Sequence, residues 1–77
     1  MRLYLTIKKQ YFDLIKSGVK KEEYRDITPY YDAKFKKQYK TLLLQNGYNK
    51  DSPRIEVEVL EVIKTKNNYT IKLGKIL

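Results

Sequence analysis

Seventy-seven residues allow one small domain, spanning 1–77, with a thin core that buries about 60–65% of the unfolded surface. The chain has no cysteine and no histidine, which excludes disulfides, thiolate chemistry, the commonest general base and the commonest zinc ligand. Seventeen Lys plus Arg against nine Asp plus Glu give a formal charge of +8, a field that attracts phosphate backbones, anionic lipid or acidic partners. Lysine in excess is also a common means of keeping a small domain soluble. Any metal site would have to use oxygen ligands; none is expected, nor any cofactor.

Arg2 to Ile7 alternates, with Leu3, Leu5 and Ile7 on one side, which reads as a half-buried strand. From Lys8 to Ser17 the period changes to helical. Tyr11, Phe12, Leu14 and Ile15 form the apolar stripe, with Tyr11 and Phe12 expected in the core. Gly18 stands where a left-handed helix cap is wanted. Lys20 to Ile27 is highly charged and reads as extended. Lys21, Glu23, Arg25 and Ile27 then share one face, and Lys20, Glu22, Tyr24 and Asp26 the other. Thr28-Pro29 opens a second helix, cap then first turn, expected to run to about Lys37 with Tyr30 or Tyr31 and Phe35 inward. Lys34, Lys36, Lys37 and Lys40 make a basic surface on it and just beyond. Thr41 to Leu44 is a short buried strand, and Asn46 to Pro53 a loop rich in turn formers, Gly47 among them. Arg54 to Lys64 is a long strand in which Ile55, Val57 and Val59 alternate with Glu56 and Glu58. The apolar phase slips at Val59-Leu60, which signals a bulge or bend. Asn67-Asn68 turns the chain into a last strand, Tyr69 to Leu73. The order predicts an α+β fold, five short strands closing into a small bent barrel with two flanking short helices.

The opening MRLYLTIKK turns charged too soon for a signal peptide, and no apolar run approaches the ~20 residues of a membrane span. A cytoplasmic protein without membrane contact is the expectation.

The stretch Gly18 to Arg25 carries the chemistry. A strand bearing Lys20, Lys21, Glu23 and Arg25 suits the wall of a wet, anion-binding groove better than an apolar core. Arg25 can hold a phosphate through parallel N–H donors, and Lys20 can act as a compact positive point. Glu23 can accept from the exocyclic amine of a base, and Tyr24 can offer a stacking face. The competing reading is an ion-pair network guarding an edge strand. Eight tyrosines and no tryptophan form the second signal. Tyr24, Tyr30, Tyr31 and Tyr48 are interleaved with lysines, as in stacking grooves, although tyrosines also serve to cover thin cores. Tyr48, in a loop, is the strongest single candidate for a ligand contact. Glu23 and Asp26 fall on opposite faces of the extended stretch, so they would not converge on one ion.

Gly18, Lys20, Glu23 and Arg25 reproduce a G-x-K-x-x-E-x-R pattern that resembles the signature of the ASCH domain family. Tyr11 to Ser17 is similar to the helix leading into it. Asn46-Gly47-Tyr48 and Ile55 to Val59 are similar to the loop and strand of short bacterial and phage members. The resemblance spans nearly the whole chain. It implies a PUA-like barrel with the signature lining a cleft, and binding of RNA, another single-stranded nucleic acid or a nucleotide-like ligand. Some relatives are enzymes, an acetylcytidine amidohydrolase and ribonucleases. In the amidohydrolase type the signature lysine, here Lys20, is the reactive amine. That type carries threonine where this chain has Glu23, and a downstream acid where nothing acidic follows Glu61. The resemblance therefore implies a nucleic-acid-binding module rather than that catalyst. Two alternatives stand beside it: a small enzyme on a modified nucleoside or RNA using Lys20 and Glu23, and a phage-encoded inhibitor acting by protein contact.

Overall fold

A computed structural model describes residues 1–77. Five strands and two helices alternate as β1 (Arg2–Ile7), α1 (Lys9–Lys16), β2 (Glu22–Arg25), α2 (Pro29–Lys34), β3 (Thr41–Asn46), β4 (Arg54–Lys64) and β5 (Tyr69–Ile76). They form one sheet of order β1-β3-β4-β5-β2, curled into a half-barrel. β1 lies parallel to β3, and every other neighbouring pair is antiparallel.

The curl originates in β4. Its first half pairs with β3, from Arg54 opposite Gln45 to Glu58 opposite Thr41. Its second half pairs with β5 from Val59 to Lys64, after register shifts between Val57, Val59 and Glu61. The slip in apolar phase at Val59-Leu60 is thus a real irregularity, and it throws Leu60 out into solvent. Gly74 of β5 belongs to the same bend. A Cβ there would meet the Glu58 carboxylate and press on Leu60, so the ends of these two side chains would have to swing aside to admit one.

Alternation places Leu3, Leu5, Leu42, Leu44, Val57, Val59, Ile71 and Leu73 in one interior cluster, closed at one side by Phe12 and Ile15 of α1. Tyr11 and Leu14 do not join it. An eight-residue helix presents a narrow stripe, and Phe12 and Ile15 fill it, leaving Tyr11 about 41% exposed rather than in the core. Gly18 ends α1 with φ +84°, the left-handed cap.

Thr28 caps α2, its hydroxyl accepting from the Tyr31 N–H, with Pro29 in the first turn. The helix is shorter than its sequence suggests and stops before Phe35. The Tyr39 hydroxyl donates to the Lys34 carbonyl, and Phe35 turns inward to stack on Tyr31 and lean on Tyr69 at ring distances of 5.7 and 4.7 Å. β2 is shorter than the charged run, β3 reaches Asn46, and β5 continues past Leu73 to pair Ile76 with Val57. No helix is long and apolar enough to cross a membrane.

Candidate nucleic-acid interface

The ends of the curled sheet, β1 and β2, share no ladder. One side chain spans the gap. Arg25 Nη2 donates to the Thr6 carbonyl on β1 at 3.0 Å, while Nη1 donates to the Tyr24 carbonyl at 2.7 Å and to Glu23 Oε1 at 3.1 Å. Glu23 Oε1 also accepts from the Tyr24 N–H. Glu23 is 6% exposed, and its Oε2 is sealed in without a partner. Glu23 and Arg25 therefore face inward, as the period-2 reading of β2 requires, and act first as the rivet of an incomplete barrel wall. Arginine is well shaped for such a join, because its planar fork supplies several donors at fixed angles to a carboxylate and two carbonyls.

The opposite face of β2 is different. Lys20, Lys21, Glu22, Tyr24 and Lys72 border a cleft of about 470 Å³, floored in part by Leu60. Alternation would put Lys21 with Glu23 and Arg25, but Lys21 precedes the first residue of β2 and is exposed at the cleft instead. Lys20 Nζ lies 4.8 Å from the Tyr24 ring centre and 5.7 Å from that of Tyr11, so two aromatic faces hold one ammonium. The Glu22 charge is spoken for: one oxygen accepts from the Tyr24 hydroxyl at 2.7 Å, and the other lies 3.8 Å from Lys72. That hydrogen bond to Glu22 raises the Tyr24 phenol above its ordinary value. Lys20 and Lys21 take part in no ion pair. The cleft is thus positive, concave and faced with tyrosine.

The signature residues accordingly divide. Lys20, Lys21 and Tyr24 border the outer cleft; Glu23 and Arg25 lie on the inner side, and Lys20 forms no ion pair with Glu23. Gly18 sets the path into β2 but is not on the wall of this cleft. Tyr48 is 89% exposed beside Gly47, whose φ is +97°, and borders a separate hollow with Ile7 and Lys8.

A second cavity, about 200 Å³, opens between β1 and α2, with Tyr4, Thr6, Arg25, Tyr30, Tyr31 and Gln45 on its walls. Thr6 also borders the Tyr48 hollow, so the two adjoin. Sequence pattern alone misses Lys72 and Thr6. Lys72 carries a usable signal, since it alternates outward between Ile71 and Leu73; Thr6 contributes a backbone carbonyl, which no side-chain pattern announces.

α2 carries no fully buried residue and depends on a polar clasp. Asp32 accepts from the Tyr69 hydroxyl at 2.5 Å and from Lys64 at 3.1 Å. The Tyr69 hydrogen bond, then Lys64, holds the Asp32 carboxyl below its ordinary range, while the same contacts raise Tyr69 and Lys64. No cluster of three or more acidic side chains is placed to hold a metal ion. Compared with known proteins, the chain matches no family model and no curated protein.

Proposed function

We propose that this domain binds single-stranded nucleic acid, RNA foremost, along the outer face of β2, as a PUA-like module of ASCH type. The observation that carries the reading is the pair Lys20 and Lys21, free of any ion pair, at the rim of a cleft faced by Tyr24, with the Tyr11 ring behind the Lys20 ammonium. Unpaired ammonium groups draw phosphates by releasing condensed counterions, and tyrosine faces give bases a place to stack regardless of sequence. A net charge of +8 adds long-range attraction. The G-x-K-x-x-E-x-R pattern and the half-barrel with two helices agree with this reading. Lys20 lines the outer cleft while Glu23 is buried in its pair with Arg25, which disfavours a catalytic pair built from them.

The test is a titration of labelled single strands at several salt concentrations. Lys20, Lys21 and Lys72 engaging one phosphate each give a log–log slope near −2, from about 0.7 per phosphate on a single strand. Lys21→Ala removes roughly one third of that slope. Absent binding, or binding indifferent to salt, defeats the proposal. Capture of one stoichiometric protein without nucleic acid favours an inhibitor instead.

A further inference from the structure

We infer that the smaller cavity, between β1 and α2, is a pocket for a single guanine base from the strand whose phosphates lie along the lysines of β2. The inference rests on the binding reading above and adds to it a choice of base. At about 200 Å³ the cavity suits one planar heterocycle rather than a whole nucleotide, and Tyr4, Tyr30 and Tyr31 supply aromatic walls. Tyr30 is about 64% exposed and meets Tyr31 edge to face with ring centres 5.0 Å apart, an open jaw beside a fixed one.

The polar groups on the wall decide which base fits. Arg25 has five N–H donors, of which three are used on Glu23, Tyr24 and Thr6; two remain without a partner in the protein. Gln45 has no donor to spare, because its amide N–H groups serve the carbonyls of Gly47 and Asn49. Its oxygen accepts from Arg54. Hydroxyls of Thr6 and the tyrosines rotate to donate or accept, so they do not discriminate. The fixed information in the pocket is therefore a pair of N–H donors on one guanidinium. Glu23 offsets the Arg25 charge from 3.1 Å away, so the fork is matched to a neutral acceptor edge better than to a phosphate. Guanine presents two neighbouring acceptors, O6 and N7. Adenine and cytosine place an amine donor at the corresponding position, and it would face Arg25 unpaired. The sealed Glu23 carboxylate is on neither cavity wall, so it offers no acceptor to such an amine.

The experiment uses uridine hexamers carrying one central guanine, hypoxanthine, adenine, cytosine or 7-deazaguanine, titrated at fixed salt. Guanine and hypoxanthine, which share O6 and N7, bind about tenfold or more tighter than adenine or cytosine. The 7-deazaguanine strand, lacking N7, falls most of the way to the adenine level. Tyr30→Leu, at an exposed position, narrows the guanine advantage, whereas Lys21→Ala weakens every strand alike. Equal affinity for all central bases overturns the guanine pocket and leaves the binding module standing. No affinity for any hexamer, the plain uridine strand included, overturns both.

Discussion

Substituting Arg25 with methionine keeps the apolar stem and removes the guanidinium that joins β1 to β2. Three hydrogen bonds go with it, and the Glu23 carboxylate is left with one backbone donor in a setting where its side chain is 8% exposed. Breaking a buried pair from one side costs about 3–5 kcal/mol, and the 16% exposure of the Arg25 side chain places this case near the lower end, about 3 kcal/mol. At about 0.05–0.15 kcal/mol per residue, a chain of 77 residues has about 4–12 kcal/mol in all, so the loss is a quarter to three quarters of the total. Removing both charges is a different matter. Glu23→Leu with Arg25→Met exchanges the pair for apolar volume facing Ile71, and such exchanges are often neutral or better. Urea unfolding of the two single variants and the double, followed by far-ultraviolet circular dichroism, completes the cycle. The double variant should be at least about 1.5 kcal/mol more stable than the sum of the single losses predicts, taking about half the pair cost as coupling. A loss below about 1 kcal/mol for Arg25→Met, or additive losses, would refute the rivet.

Three further outcomes test other parts of the fold. Because the Asp32 carboxyl is held low by Tyr69 and Lys64, its contribution is full above the unfolded value of about 3.9 and fades as pH falls through the lower folded value. The stability gap between the native protein and Asp32→Asn should then stay constant from about pH 5 to 7 and close in acid; a gap independent of pH contradicts the clasp. Gly18→Ala meets open space at φ +84°, so its cost is backbone strain alone, about 1 kcal/mol in urea unfolding, with nucleic-acid affinity unchanged. A neutral result there would mean the cap is not left-handed in solution. Leu42→Ala, at a fully buried site, should cost about 2–5 kcal/mol, and a loss under about 1 kcal/mol would remove Leu42 from the core.

What the sequence disclosed about this fold was local. The Gly18 cap, the Thr28-Pro29 helix start and the bend at Val59-Leu60 each depend on a few neighbouring residues, and each is where its pattern placed it. Contacts between distant residues were not legible. Arg25 and Thr6 lie nineteen residues apart, and only the curl of β4 brings them together. Without that closure a charged strand reads as a wet groove, and nothing in Glu23 itself announces burial. The same holds for α2: helical propensity would carry it to Lys37, but Phe35 leaves the helix to reach Tyr69, far along the chain. Tyr11 shows a milder form, since an apolar stripe says which residues can be buried but not how many the facing sheet has room for.

One short stretch thus answers two demands with neighbouring residues. Inward, β2 cannot complete a ladder with β1, so a buried ion pair supplies the missing join; outward, lysines and tyrosine face a cleft with little acidic charge. Because Lys21 borders the outer cleft, Arg25 makes the inner join and the two share no partner, losses at the two should be separable. Lys21→Ala should weaken binding while leaving urea unfolding within about 0.5 kcal/mol of the native protein. The Glu23→Leu, Arg25→Met double variant should fold and retain the salt-dependent affinity, while losing preference for any one base. If that variant folds yet binds no strand at all, the outer lysines are insufficient, and the inner pair itself must hold the backbone.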